Sequence, residues 1–404
     1  MTEQRLRERL ERTEAPDEMA AEERGWRVVH AAFEERLPLP RRRRRLRPAL
    51  AAAALAVLAL AVPATGADDW LRDLVRPGRD DARPALSSIP GGGRLLVRSD
   101  AGPWIVSADG SKRLLGSYDD AVWSPHGLFV AATRQRELVA LDPRGRVRWS
   151  LARPTAISGA RWSPSGFRIA YVTAPAAVSK VRPHVSTGAS LRVVAGDGTG
   201  DRRIAAGVAA VPPAWRPGAE HVLAYADRAG RVRVVAPDTG RLLWTAAVRD
   251  RPRRLLWSGD GERLLAVADG SIRVLDASGR TLRDVAAPAG TTTGAVAFAG
   301  RGRRFAVVRH RPSARQSEIA VLQAERAVRP ERRVFAGAGE LTDVAWSPDD
   351  RWLLVGWPSA DQWLFVRSGA PGKLIAFSGV ARQFSPGASG RAASPRVAGW
   401  CCPR

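Results

Sequence analysis

The sequence has 404 residues, of which 45% are hydrophobic, and a formal net charge of +24 at pH 7. Its 38 Gly and 29 Pro indicate many short strands joined by turns rather than a helical protein. The only two cysteines, Cys401 and Cys402, are adjacent, which excludes a disulfide framework that would hold the fold together. The charge is nearly all arginine spread along the chain, so we expect solvated basic faces and no nucleic-acid binding.

Residues 1–46 are predicted to form a cytoplasmic helical segment that ends in a run of arginines, Arg41 to Arg45. Four of its apolar residues recur at spacings of three and four, which is typical of one face of a helix. These residues, a candidate partner-binding helix, are Trp26, Val29, Phe33 and Leu37. A segment this short cannot bury such a face alone. The face therefore contacts a partner or the membrane surface, or it packs against residues 3–14 as a small hairpin.

A transmembrane helix is predicted at 47–67, because the chain has no charge from Pro48 to Ala67. Twenty helical residues cover about 30 Å, the thickness of a bilayer core. Arginines precede this span and Asp68-Asp69 follow it, so the positive-inside rule places the N-terminus in the cytoplasm. We therefore expect a single-pass cell-membrane protein with its larger part extracytoplasmic. The alternative is a cleaved signal peptide, against which the 47 preceding residues argue.

A charged stalk is predicted at 68–87, followed by a repeated unit at 88–390. Each repeat carries a marker, an apolar strand that ends in an aromatic residue and a turn such as Trp162-Ser163-Pro164-Ser165-Gly166. The aromatic residues recur every 39 to 53 positions, which is the period of a β-propeller blade. In this pattern the aromatic side chain fills the space between blades, while Pro and Gly turn the chain.

The predicted fold is an all-β, seven-bladed propeller closed by the C-terminal strand. The first repeat lacks a marker, and a marker without a following blade stands at Phe384-Ser385-Pro386. We therefore expect that strand to return to blade 1 beside Arg94 to Arg98, since this closes the ring and removes exposed edges. Residues 391–404 are then a C-terminal tail. The predicted structural blade anchors are Trp123, Trp162, Trp215, Trp257, Phe298, Trp346 and Phe384.

The Trp-Ser-Pro-x-Gly markers resemble the WD40-like propeller repeats of bacterial TolB-type proteins, over about residues 88–390. Two blades, at 138–149 and 234–244, are also similar to quinone-dehydrogenase propeller repeats, although no paired cysteines accompany them. The order of helical segment, membrane span and exported domain is similar to that of single-pass anti-sigma regulators. The zinc-binding version of that family needs a His and two Cys near the N-terminus, where only His30 is present.

We expect no enzyme activity, no cofactor and no metal, since the five His lie in separate segments and no known catalytic motif occurs. Acid pairs such as Asp349-Asp350 are interpreted as turn caps. The predicted function is an extracytoplasmic propeller that binds a protein or ligand as a scaffold or sensor. One alternative is a transmembrane anti-sigma-like regulator whose cytoplasmic helix binds a transcription factor, and another is a quinone-type enzyme. The sequence leaves the protein partner and the oligomeric state open.

Overall fold

The computed structural model describes residues 86, 88–174, 188–218, 220–300, 302–325, 331–369, 374–385 and 393–402. The predicted helical segment at 1–46, with Trp26, Val29, Phe33 and Leu37, lies outside these residues. So do the predicted transmembrane helix at 47–67 and all of the predicted stalk at 68–87 except residue 86. Within the described residues, no helix has the length and apolar character needed to cross a membrane.

Seven four-stranded antiparallel sheets make up the described chain, which confirms the prediction of an all-β, seven-bladed propeller. Blade 1 contains β1 (Arg94–Ser99), β2 (Gly102–Val106), β3 (Lys112–Leu114) and the last strand, β28 (Arg396–Cys401). Blade 2 contains β4 (Asp120–Trp123), β5 (Val130–Arg134), β6 (Glu137–Leu141) and β7 (Val147–Ala152). Blade 3 contains β8 (Ala156–Trp162), β9 (Arg168–Ala174), β10 (Ser190–Ala195) and β11 (Arg202–Ala206). Blade 4 contains β12 (Ala214–Arg216), β13 (Val222–Ala226), β14 (Val232–Ala236) and β15 (Arg241–Ala246).

The other three blades repeat this plan. Blade 5 contains β16 (Arg254–Trp257), β17 (Arg263–Val267), β18 (Ser271–Asp276) and β19 (Thr281–Ala286). Blade 6 contains β20 (Thr292–Phe298), β21 (Arg304–Arg311), β22 (Gln316–Gln323) and β23 (Arg332–Ala338). Blade 7 contains β24 (Val344–Trp346), β25 (Trp352–Trp357), β26 (Gln362–Arg367) and β27 (Leu374–Ser378). Short 3-10 turns lie at Pro312–Ala314 and Pro358–Ala360, and one helical turn, α1, spans Val380–Gln383.

The inner strands surround a central channel. Each inner strand contacts the inner strand of the next blade, from β4 through β8, β12, β16, β20 and β24 to β28, which contacts β4 again. The central residues of the second strand of each blade are buried on both faces, and β13 (VLAYA) is buried along its whole length. The buried apolar side chains form seven clusters, one between each pair of neighbouring blades. The core is therefore a ring of blade interfaces.

The strand that closes the ring is β28, so the prediction that the segment ending at Phe384 pairs with β1 is wrong. β28 lies antiparallel to β1, with Trp400 opposite Leu95 and Arg396 opposite Arg98. This strand comes from residues 391–404, which the sequence had assigned to a tail. Closure by a C-terminal strand was predicted correctly, but the propeller extends beyond residue 390.

The segment at 380–384 cannot be an inner strand because only Gly379 separates it from Ser378, the end of outer strand β27. Even the shortest connection from an outer to an inner strand, between β7 and β8, uses three residues, 153–155. Instead, Asp361 accepts a hydrogen bond from the Ala381 amide at 2.7 Å and holds the first turn of α1. Phe384 is fully buried at the interface of blades 7 and 1, where its ring lies 5.3 Å from that of Trp363.

Acidic residues hold the turns between the third and fourth strands, and Asp276 is the clearest case. Burial alone would raise the pKa of Asp276, but hydrogen bonds from Ser278 and Arg280 lower it to about 2. A carboxyl group with a lowered pKa stabilises the fold above its unfolded pKa, and this stability is lost as the pH falls towards 2. We expect Asp276→Asn to lower the free energy of unfolding by about 2 kcal/mol at pH 7, with the difference closing between pH 4 and 2.

Urea unfolding of the full chain and of the Asp276→Asn variant across this pH range measures the effect. The matched control is Asp269→Asn, because Asp269 pairs with Arg253 but its side chain is 70% exposed. Exposed ion pairs contribute little to stability. A gap between wild type and Asp276→Asn that persists unchanged at pH 2 would show that the ionised carboxylate is not the source of the stability.

Candidate functional site

Six of the predicted blade anchors stand at or next to the last residue of an inner strand: Trp123, Trp162, Trp215, Trp257, Phe298 and Trp346. Each lies in the apolar cluster between its own blade and the preceding blade. The five tryptophans are at most 9% exposed. Phe384 lies in the cluster between blades 7 and 1 but outside any inner strand. All seven residues therefore pack blades together and do not line the channel as ligand contacts.

Trp400 takes the marker place in blade 1 and was missed by sequence reasoning. It pairs with Leu95 in the same register as Trp346 with Leu353, and its Nε1 donates to Gly92 O at 2.8 Å. The signal was present in the sequence, since Trp400 follows Trp346 by 54 residues, close to the longest spacing between markers. Cys401 and Cys402, which are bonded to each other, replace the Ser-Pro that identifies the other markers.

Further tryptophans join neighbouring blades through their indole N–H groups. Trp149 on β7 donates to Gly196 O in blade 3 at 2.8 Å, and Trp244 on β15 donates to Ala277 O in blade 5 at 2.9 Å. These two tryptophans end the repeats that are similar to those of quinone dehydrogenases. Their observed role is to connect the outer strand of one blade to a turn of the next.

The central channel carries charged side chains on its inner strands. Asp120 and Arg254 begin β4 and β16, and Asp343 directly precedes β24, so each lies three residues before its marker tryptophan. Arg161 lies one residue before Trp162 on β8. Arg98, opposite Arg396 in blade 1, donates to Asp120 at 2.9 Å.

The electrostatic partners of Arg254 place this group in the channel. Arg254 in blade 5 interacts with the charges of Arg161 in blade 3, Asp343 in blade 7, and Arg98 and Arg396 in blade 1. Four blades spaced around the ring have only the channel in common. Burial and the neighbouring arginines lower the pKa of Arg254 to about 10. Burial also lowers the pKa of Arg161, although Asp120 opposes this effect.

One end of the ring, which we name the marker-turn face, carries the marker turns and the turns between third and fourth strands. The marker turns of blades 2 and 3 expose three large apolar side chains: Leu128 at 62%, Phe129 at 38% and Phe167 at 68%. The Phe129 ring stacks on Trp162, with ring centroids 6.4 Å apart. The position of Leu128 and Phe167 in the turn is occupied by Glu262, Arg303 and Arg351 in blades 5 to 7.

A serine, a histidine and an aspartate are aligned on the same face. Ser165 Oγ lies 2.9 Å from His221 Nε2, and His221 Nδ1 lies 2.6 Å from Asp238 Oδ2. This order is typical of an activated nucleophile. However, Ser165 takes the turn position of Asp260 and Asp349, which accept hydrogen bonds from Ser258 and Ser347 at 2.5 Å. We therefore interpret the network as a turn cap that joins blades 3 and 4.

Other polar depressions hold charges that are already paired. A pocket of about 260 Å³ in blade 4 is lined by Asp227, Arg231 and Arg233 among other residues. Asp227 Oδ2 accepts hydrogen bonds from both arginines, at 2.9 Å and 3.1 Å. The part of the chain that the structure describes has no cluster of three or more His, Cys, Asp or Glu residues able to hold a metal ion.

The ring and its repeated marker turns define a seven-bladed β-propeller. Residues 330–367 match the family model for the WD domain, G-beta repeat. No curated protein sequence matches the chain. Among solved structures, a putative 6-phosphogluconolactonase from Bacteroides uniformis is similar at a TM-score of 0.52 and 13% identity, over 71% of this chain and 95% of that chain. Hydrazine synthase from Kuenenia stuttgartiensis has a TM-score of 0.48 and 15% identity, over 61% of this chain and 75% of that one.

Proposed function

We propose that this chain is a membrane-anchored binding module whose propeller docks a protein partner on the marker-turn face, outside the cytoplasm. The exposed apolar side chains of blades 2 and 3 carry the docking proposal. In blades 5 to 7 the marker turn has a charged residue, whereas in blades 2 and 3 it has the exposed apolar residues Leu128, Phe129 and Phe167. Apolar side chains grouped on an otherwise polar surface are typical of a protein contact.

The charges beside this surface favour a partner that presents apolar side chains next to acidic ones. Arg144 and Arg146 are exposed in the neighbouring turn of blade 2. Arg94 lies over the Trp123 ring, 4.9 Å from its centroid, and donates to Gly127 O at 2.8 Å. Gly127 directly precedes Leu128 in the chain. Residues 68–404 carry a net charge of +21 (51 Lys and Arg less 30 Asp and Glu), which would speed association with an acidic surface.

The anchor and its orientation rest on the uncharged residues 48–67 and the arginines before them. If the positive-inside rule applies, the propeller is exported and the marker-turn face meets a partner outside the cytoplasm. The full chain should then remain with membranes after alkaline carbonate washing, and deletion of residues 47–67 should release it.

A photo-crosslinking amino acid at position 167, in the full chain expressed in its membrane, tests the docking surface. We expect a crosslinked protein whose yield falls at least tenfold with Leu128→Asp and decreases at high salt, because docking combines apolar and charged contacts. The matched control is Leu114→Asp, since Leu114 is 39% exposed at the end of the outer strand of blade 1, away from the marker turns. Equal losses from both substitutions, or a yield that neither changes, would contradict docking at this surface.

A further inference from the structure

We propose that the central channel binds a small anionic ligand through its carboxylate or phosphate group, held between Arg161 and Arg254. This site is separate from the protein-docking surface proposed above. It rests on the charges that blades 1, 2, 3, 5 and 7 bring together around the channel.

The positive charge of the channel exceeds its negative charge. Asp120 pairs with Arg98 and Asp343 pairs with Arg396, each at 2.9 Å. Arg161 Nη1 donates to the Ala160 carbonyl at 2.7 Å, and the Arg254 side chain forms no hydrogen bond or ion pair with the described residues. Four arginines and two aspartates leave a net charge of +2 (4 − 2), located on Arg161 and Arg254.

This excess of positive charge is energetically unfavourable in a confined channel. Arg254 is exposed to solvent, but the charged groups of Arg161, Asp343, Arg98 and Arg396 lie near enough to interact with it. Burial and the repulsion by nearby arginines lower the pKa of Arg254 to about 10, while the group stays charged at neutral pH. An anion would relieve both effects, because unpaired charges within a protein are unfavourable and guanidinium groups bind oxyanions through two parallel hydrogen bonds.

The channel has room for such a ligand where the residues directly before the markers face it, which in blade 3 is Arg161. The residue that directly precedes the marker is Arg161 in blade 3 but a small residue in four other blades. These small residues are Ala214, Ala297, Ala345 and Gly399. Val122 and Leu256 take this place in blades 2 and 5, so Arg161 is the one charged side chain among the seven, and the small residues leave space for a compact oxyanion beside it.

Thermal unfolding of the purified full chain in detergent, at constant ionic strength, tests the site. We expect phosphate or malonate to raise the Tm with half-saturation at or below about 1 mM, whereas chloride has no such effect. The comparison of phosphate with malonate decides between phosphate and carboxylate chemistry. Arg161→Gln and Arg254→Gln should weaken the response at least tenfold, and Arg136→Gln, an exposed arginine on blade 2, should leave it unchanged.

A second readout keeps the proposal testable without any added anion. Arg254→Gln removes an uncompensated charge, so the Tm of this variant in chloride should equal or exceed that of the wild type. The proposal is overturned if all variants respond alike, since the anion then binds the basic surface. It is also overturned if no anion raises the Tm, or if chloride acts as well as phosphate and malonate, which would indicate an adventitious ion only. A failure of the docking crosslink would leave these outcomes unaffected.

Discussion

Deletion of residues 396–402, which removes β28, is expected to lower the free energy of unfolding by at least about 5 kcal/mol. Half-buried Trp400 packs against the interface of blades 7 and 1, where even a fully buried Trp→Ala change would cost about 3–5 kcal/mol, and the deletion removes the whole strand around it. The deletion also removes Cys401, which is 8% exposed, and leaves β1 as an unpaired edge. Denaturant unfolding of the full chain, followed by tryptophan fluorescence, measures the loss.

Single substitutions distinguish the loss of ring closure from a general loss of stability. Trp400 is half-buried, so Trp400→Ala alone should cost less than the loss of a core tryptophan, about 2–3 kcal/mol. Phe167→Ala, at a side chain that is 68% exposed, should change the free energy of unfolding by less than about 0.5 kcal/mol. Hydrogen exchange in the deletion variant should speed up first at the β1 amides that face β28. If the deletion leaves stability and exchange unchanged, β28 does not close the ring.

Replacing Asp201 by Asn is expected to cost about 3 kcal/mol, because this carboxylate is the common acceptor of a largely buried network. Its Oδ1 accepts a hydrogen bond from the Tyr171 hydroxyl at 2.6 Å, and both oxygens accept from Arg192. Arg153, in the connection between blades 2 and 3, donates to it as well. Burial raises the pKa of the Tyr171 hydroxyl, which therefore stays protonated and donates. Asn keeps the shape of the side chain but leaves two arginines without a counter-charge.

The control for this network is another aspartate that pairs with an arginine across two strands. Asp284 accepts from Arg273 at 2.7 Å, but its side chain is 56% exposed, against 6% for Asp201. Asp284→Asn should therefore have little effect on stability. A cost for Asp201→Asn no greater than that for Asp284→Asn would show that the network is not a significant source of stability. Thermal and denaturant unfolding of the two variants, side by side, gives the answer.

Only part of the candidate channel site can be predicted from the sequence. Arg161 and Arg254 stand 93 positions apart, and neither belongs to a recognisable motif. The markers identify the inner strands, so the residues one and three positions before each aromatic residue can be recognised from the sequence as inner-strand positions. What the sequence did not show is that Asp120 and Asp343 are neutralised by Arg98 and Arg396, leaving the other two arginines unpaired. That depends on which side chains meet across the channel.

The sequence by itself determined the repeat, and with it the number of blades. An apolar inner strand, an aromatic residue and a tight turn recur because every blade has the same interface to fill, and this local chemistry is readable in a single chain. Only the tertiary structure decided which segment closes the ring, because Phe384-Ser385-Pro386 imitates the marker while Trp400-Cys401-Cys402 does not. The choice depends on the length of chain between an outer and an inner strand. β28 is far enough along the chain from outer strand β27 to reach the free edge of β1, so it pairs with β1. Phe384 is too close to β27 and packs in the interface of blades 7 and 1.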